Sequence, residues 1–281
     1  MTGVRKSLEA AGLGRIGPYV EAHAKPSVRL AATLQREVAA SRLGGRPNLP
    51  PELDWPEWNG LPLAFLAQID LTRLPPIPGY DLPREGSLFF FHVGGADAPW
   101  GYDPKDRGSA RVLYSPKRLN ASRLRPPPED LEDDQRYRAV RLEIEKVEHT
   151  IPDLCDQVIE ELELSYEERC RYDQAWDRFN RGRPDLRHRL GGYPDRLQGD
   201  LRLQAQLVTH GLHCGNSSGY ATGREKRLYP GAKDWELLLQ IDSDDSAGMM
   251  WGDSGRIYFL IHKDDLRERR FENIWAILEC M

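Results

Sequence analysis

Carboxylates gather near the C-terminus. Asp242, Asp244, Ser246 and Asp253 occupy positions 1, 3, 5 and 12 of a twelve-residue stretch, and Asp245 adds a further acid. Hard divalent cations take oxygen donors, so Ca²⁺ or Mg²⁺ is the cofactor such a loop could hold. An EF-hand also needs Gly at position 6 and a bidentate Glu at position 12, and Ala247 and Asp253 stand there, which excludes that loop type. The preferred reading is no metal and no other cofactor. In that reading the loop closes a hairpin, its Asp side chains accept from nearby backbone amides, and Trp251 packs beneath it. Asp242, Asp244 and Asp253 are the metal candidates of the alternative.

Gln68 and Gln240 are each followed by Ile and Asp, giving Gln68-Ile69-Asp70 and Gln240-Ile241-Asp242. On a strand, Gln and Asp share one face while Ile points the other way. A buried Gln donates and accepts, so it can bridge the backbone of neighbouring loops. The functional alternative sets both pairs in a cleft between two halves of the protein. The candidate binding residues are therefore Gln68, Asp70, Gln240, Asp242, Asp244, Trp251 and Asp253.

Other motifs carry less chemistry. His210, His213 and Cys214 are possible zinc ligands, with His188 the nearby fourth, but they lack the two separated ligand pairs of a structural zinc site. Gly12-Leu13-Gly14-Arg15-Ile16-Gly17 satisfies the dinucleotide pattern, yet no strand is expected before it and Pro18 follows directly. A hinge or helix end is expected there. No G-x-S-x-G, H-E-x-x-H or phosphate-loop motif occurs, so no catalytic residues are assigned.

The elements that hold these residues repeat. Leu43-Gly44-Gly45-Arg46-Pro47 returns as Leu190-Gly191-Gly192-Tyr193-Pro194, 147 residues later. The Gln-Ile-Asp word returns after 172 residues, and Gly86-Ser87-Leu88-Phe89-Phe90 returns after 169 as Gly255-Arg256-Ile257-Tyr258-Phe259. Shared words in shared order imply two copies of one β-rich unit rather than a solenoid.

Strands are expected at Ser27–Leu30, Leu63–Leu71, Gly86–Val93, Arg111–Tyr114, Arg138–Val147, Trp235–Asp242 and Arg256–His262. The chain is expected to turn helical from Asp153 to Leu186, and the capping box Ser165–Glu168 opens a helix within it that carries Cys170, Trp176 and Phe179 on or near one face and closes at Pro184. Five prolines between Pro47 and Pro62 keep that segment out of helix, and Trp55 and Trp58 are expected to pin it. The organisation is an N-terminal helix and first strand (1–43), a first β-rich repeat (44–120), a connector and helical insert (121–189) and a second β-rich repeat (190–281). The fold class is α+β, the two repeats packed together as one compact domain with helices at the N-terminus and between them.

The chain has 281 residues, 40% hydrophobic and 30% charged, enough for a sizeable core. A net charge of −5 disfavours nucleic acid as a partner. Neither a membrane-length apolar run nor a secretory leader is expected, and four cysteines without regular spacing fit a reducing cytoplasm.

The ordered set Gly44-Gly45-x-Pro47-x-Leu49-Pro50, Trp55-Pro56, Pro62-Leu63-x-Phe65-Leu66-x-Gln68-Ile69-Asp70, Gly192-Tyr193-Pro194 with Gln198, Leu239-Gln240-Ile241-Asp242-Ser243-Asp244 and Trp251-Gly252-Asp253-x-Gly255-x-Ile257-Tyr258-Phe259 resembles the YwqG-like family of bacterial proteins. The resemblance implies an α+β fold with an internal duplication and brings no established reaction. The expected function is non-catalytic binding of another protein inside the cell, an immunity-type protein being one setting. The acidic segment Asp130–Glu168 would face a basic partner. The alternative is an enzyme or small-ligand protein that uses the inter-repeat cleft with a carboxylate-bound cation. Oligomeric state is left open.

Overall fold

Strand formers fill Ser87–His92 and Arg256–His262, and both segments are apolar on both faces, which places them inside a covered sheet. The computed structural model, which describes residues 3–33, 40–95, 98–117, 123–180 and 188–280, bears this out. Among the described residues twelve strands are formed: β1 (Lys25–Thr33), β2 (Arg42–Leu43), β3 (Glu57–Trp58), β4 (Leu61–Pro62), β5 (Ala64–Asp70), β6 (Ser87–His92), β7 (Ala110–Ser115), β8 (Val140–Thr150), β9 (His188–Gly191), β10 (Trp235–Asp242), β11 (Arg256–His262) and β12 (Trp275–Glu279). Seven α-helices among the described residues accompany them: α1 (Gly3–Ala10), α2 (Gly17–Ala22), α3 (Gln157–Glu160), α4 (Tyr166–Asn180), α5 (Leu201–Thr209), α6 (Arg224–Leu228) and α7 (Lys263–Arg267). The fold is α+β.

Ten strands make one antiparallel sheet in the order β12-β11-β10-β9-β1-β8-β2-β5-β6-β7. The order reads alike from both ends. β1 and β8 lie side by side at the centre, and each is followed in the chain by a very short strand and a three-stranded meander. Yet β1 pairs with β9, and β8 pairs with β2, so each central strand joins the meander of the other half. The registers match as well. Arg42 faces Gln68 and Arg189 faces Gln240; Asp70 faces Ser87 and Asp242 faces Arg256. A bulge interrupts each meander's first pairing at the same place, between Phe65 and Ala67 and between Leu237 and Leu239.

The glycines after the two Pro- and Asp-rich turns serve one purpose. A Cβ on Gly86 would stand 2.1 Å from the Ser115 carbonyl oxygen, and one on Gly255 would stand 2.0 Å from that of Glu279. The meander closes so tightly at these points that only glycine fits.

The sheet curls until its ends face each other. Phe90 of β6 meets Phe259 of β11 edge-on at 5.1 Å, and Tyr114 of β7 meets Phe271 beside β12 at 5.6 Å. The space between the halves is an apolar core that includes Leu66, Ile69, Leu88, Leu239, Ile241 and Ile257. The outer face of the first half is covered by the proline-rich segment through Leu49, Trp55 and Leu63. Trp55 Nε1 donates to Leu63 O at 2.9 Å and Trp58 Nε1 to Arg107 O at 3.2 Å, so both indoles tie that segment down. Within it, Asn59 and Gly60 both adopt positive φ and close the β3–β4 hairpin, the usual Asn-Gly signal. The outer face of the second half carries α5, whose Leu201, Ala205 and Val208 recur at helical spacing against Leu237, Tyr258 and Trp275.

α1, α2 and α4 form a separate cluster with Ile151, Ile159 and Tyr172. Ser165 Oγ accepts from Glu168 N at 3.3 Å and Glu168 Oε2 from Ser165 N at 3.0 Å, the reciprocal cap the sequence predicts. The buried face of α4 runs through Tyr172, Ala175, Trp176 and Phe179, whereas Cys170 is exposed, which corrects the expectation for that residue. Cys170 and Trp176 are six positions apart, which at 3.6 residues per turn sets them about 120° apart around the helix, off one face. No helix among the described residues is long and apolar enough to cross a membrane.

Candidate functional site

Alternation on β5 and β10 sends Ile69 and Ile241 into the inner core and Gln68 and Gln240 to opposite outer faces. Each Gln sits beneath the loop that follows the short neighbouring strand. Gln68 Oε1 accepts from Asn48 N at 2.7 Å, while its Nε2 donates to Ala40 O at 2.7 Å and Asn48 Oδ1 at 3.1 Å. Gln240 Oε1 accepts from Asp195 N at 2.9 Å and its Nε2 donates to Asp195 Oδ2 at 3.4 Å. The two Gln residues thus bridge equivalent loops, and the structure does not bring them together. The inter-half space holds apolar side chains instead.

The residues beside each Gln were missed from the sequence. Arg42 and Arg189 precede the repeated Leu-Gly-Gly, and Asn48 and Asp195 follow its proline, so the correspondence extends one residue beyond each end of the repeated word. Arg189 and Asp195 form an ion pair at 2.5 Å with both side chains 3% exposed. Arg42 donates to Asn48 Oδ1 in the other half. Burial without a facing carboxylate pulls the Arg42 guanidinium down to about 10.

The carboxylates of the C-terminal loop part company. Asp242 pairs with Arg256 at 3.1 Å and accepts from Ser243 N. Asp244 turns inward, where Oδ1 accepts from Ser246 N at 2.8 Å and from Ser246 Oγ. Its Oδ2 lies 3.2 Å from His188 Nε2, and both side chains are 1% exposed. Because Asp242 N donates to His188 Nδ1 at 3.1 Å, the imidazole proton resides on Nε2 and points at Asp244. These bonds outweigh burial and hold the Asp244 carboxyl down at about 2. Asp253 is exposed, and Trp251 is buried edge-on to Tyr137 at 5.8 Å. Asp70 Oδ1 accepts from Thr72 N at 3.1 Å and caps the turn after β5.

Among the described residues no three His, Cys, Asp or Glu side chains are grouped to hold a metal ion. His210 Nδ1 lies 2.6 Å from Gln206 O, His213 stacks edge-on against Tyr102, and burial raises the Cys214 thiol to about 11. Gly12 to Gly17 joins α1 to α2, with Leu13 and Ile16 buried in the helical cluster.

An expected result follows for Asp244→Asn. The midpoint of thermal unfolding falls equally with and without millimolar Ca²⁺ or Mg²⁺, because the carboxylate serves amides and His188 rather than a cation. Its folded pKa lies below the unfolded value, so its contribution of about 2 kcal/mol is complete above pH ~4 and is lost as pH falls toward 2. A metal-dependent rise in the wild type that disappears in the variant would refute this.

A second polar cluster lies beside the first turn of α5, a shallow depression lined by Asp153, Asp156, Tyr193, Arg196, Asp200 and Arg202. Asp200 caps the helix, accepting from Arg202 N at 2.9 Å and Leu203 N at 3.1 Å. Burial, aided by the neighbouring Asp156 charge, raises its carboxyl to about 7. Arg202 pairs with Asp156 at 2.8 Å, and Arg196 pairs with Asp153. Nearby, Glu279 receives the amides of Leu197, Gln198 and Gly199 at 2.7–3.1 Å, so that ready-made anion cradle is filled by the chain's own carboxylate.

Residues 41–280 match the model of the Domain of unknown function (DUF1963), so most of the chain is covered. The chain belongs to that family, the YwqG-like proteins. No curated protein matches it.

Proposed function

We propose that this DUF1963 member is a non-catalytic, cytoplasmic binding protein that recognises another protein, with immunity to a toxin as one such role. An internal duplication is part of the proposal. The palindromic strand order, the matched registers and the two Gln-bridged loops support it, since unrelated halves have no reason to share a bulge position.

The observation that carries the binding role is an acidic loop of fixed shape ahead of β8. Glu129, Asp130, Glu132, Asp133 and Asp134 are exposed, while Leu131 among them is buried. Arg136 donates from Nε to Leu131 O at 2.9 Å and from an Nη to Glu129 O at 3.0 Å, which holds the backbone. Preorganised like charge raises the rate and selectivity of encounter with a basic surface. The internally bonded state of Gln68, Asp70, Gln240, Asp242 and Asp244 supports the same reading, because it leaves recognition to the surface.

Capture from the protein's own cytosol tests it. Wild type is expected to retain a basic partner in a salt-sensitive manner, and the variant with Glu129, Glu132→Gln and Asp130, Asp133, Asp134→Asn to lose it. Equal retention by both, or a partner encoded nowhere near this gene and indifferent to salt, would count against the proposal.

A further inference from the structure

The helices α1, α2, α3 and α4 share an apolar core of their own, and among the described residues none of it comes from the second half. The chain passes from this helical cluster into the sheet at Lys25 of β1 and returns to it after Thr150 of β8. Polar contacts then cross from the cluster to the second half. Arg202 of α5 pairs with Asp156 at 2.8 Å, and Arg196 Nε donates to Asp153 Oδ1 at 2.5 Å. Tyr193 OH donates to His23 O at 2.9 Å and Tyr229 OH to Glu160 Oε2 at 2.5 Å.

The depression at this junction does not balance its charges. Asp153, Asp156 and Asp200 line it together with only two guanidiniums, Arg196 and Arg202. Both guanidiniums are committed, Arg196 to Asp153, and Arg202 to Asp156 and to the carbonyls of Trp235 and Lys233. Asp200 Oδ1 accepts the amides of Arg202 and Leu203, but Asp200 forms no ion pair among the described residues. The charges close only when Asp200 is neutral. Burial first, and the Asp156 charge second, lift its carboxyl to about 7.

The other titratable groups around Asp200 are engaged elsewhere. Burial keeps the Tyr193, Tyr220 and Tyr229 hydroxyls protonated. Behind Arg202, Lys25 and Glu236 form a pair of their own at 2.7 Å. Glu160 and Glu161 at the end of α3 face Tyr229. His23 meets Tyr193 through its carbonyl and directs Nδ1 at Tyr19 O, 2.8 Å away.

We infer that this junction is a pH-responsive latch: protonation of Asp200 closes the helical cluster against α5, and its ionisation loosens that contact. Asp156 transmits the change, since it caps α3 through Val158 N at 3.0 Å while holding Arg202. A second carboxylate charge beside it repels it in a setting poor in water. The folded carboxyl binds its proton more tightly than the unfolded one. Its contribution to stability is therefore complete below pH ~4 and is lost as pH rises through about 7. The latch lies apart from the acidic loop and does not rest on it.

Thermal unfolding and hydrogen exchange of the full-length protein, at constant ionic strength, test it. Between about pH 5.5 and 8 the wild-type midpoint is expected to fall by roughly 3–5 °C more than that of Asp200→Asn, which is neutral and still caps α5. The comparison removes the histidines, which titrate alike in both proteins. At pH 8, corrected for intrinsic exchange, the amides of α2 and α3 are expected to lose protection in the wild type alone, while those of β10 and β11 keep it in both. Asp200→Ser, another neutral cap, takes the place of the Asn variant should that fail to fold. Equal pH dependence of wild type and variant, or loosening at pH 8 that the neutral caps do not prevent, would overturn the inference.

Discussion

Cut between Pro126 and Pro127, the protein is expected to reassemble from its two fragments while neither fragment folds alone. The expectation rests on the exchanged central strands. Fragment 1–126 contains β1, whose two ladder partners, β9 and β8, both lie in fragment 127–281. The second fragment contains β8, whose partners β1 and β2 both lie in the first. Separation would strip both ladders from each central strand and expose the inner core at Phe90 and Phe259. Exposed strand edges and apolar faces of that size lead to aggregation. Co-expression followed by size exclusion checks the result: a 1:1 complex is expected, and a cooperative unfolding transition from either fragment as an isolated monomer would show the exchange to be unimportant.

Asp195→Ala is expected to cost about 3–5 kcal/mol, the largest loss among single polar substitutions in the chain. It leaves Arg189 as a buried, unneutralised cation and removes the acceptor of Gln240 Nε2. Asn48→Ala at the corresponding position removes hydrogen bonds to Arg42 and Gln68 but no charge. Its cost is expected to be about 1–3 kcal/mol. Urea unfolding of both variants measures the difference. Equal losses would mean that the Arg189–Asp195 charge interaction contributes nothing beyond its hydrogen bonds.

Much of the sheet was legible because its strong strands are continuous apolar runs bounded by turn formers. Leu63–Leu71, Gly86–Val93, Trp235–Asp242 and Arg256–His262 all contain the observed β5, β6, β10 and β11. β2 and β9 were not legible, since two and four residues are too few to show a period. The helix α5 was hidden by its polar residues, although Asp200 before Leu201, Ala205 and Val208 is a recognisable start. Strand exchange left no local trace at all, because β1 and β9 are paired by contacts some 160 residues apart.

The candidate residues divide in the same way. Repetition pointed to Gln68 and Gln240, and alternation correctly set them opposite Ile69 and Ile241. It could not tell which face of the curled sheet was enclosed, and that decides whether the pair lines a cleft or braces two loops. Arg42 and Arg189 were available in the repeated word itself, one residue before its leucine. Their meaning required the partner strand, which only the three-dimensional arrangement supplies.

The exchanged strands also impose a schedule on synthesis. β1 leaves the ribosome early, but β9, one of its two neighbours, ends at Gly191. At about 5–20 residues per second, β1 waits on the order of 10–30 s for β9, and both of its edges stay unpaired until β8, which ends at Thr150, has been made. During that interval the rest of the first meander can form while its central edge, at β2, also waits for β8. The nascent chain thus passes through a stage with open sheet edges on both sides of the gap that β1 and β8 will fill. Transient chaperone engagement of residues 25–33 belongs to that stage, and slowing translation before β8 would lengthen it.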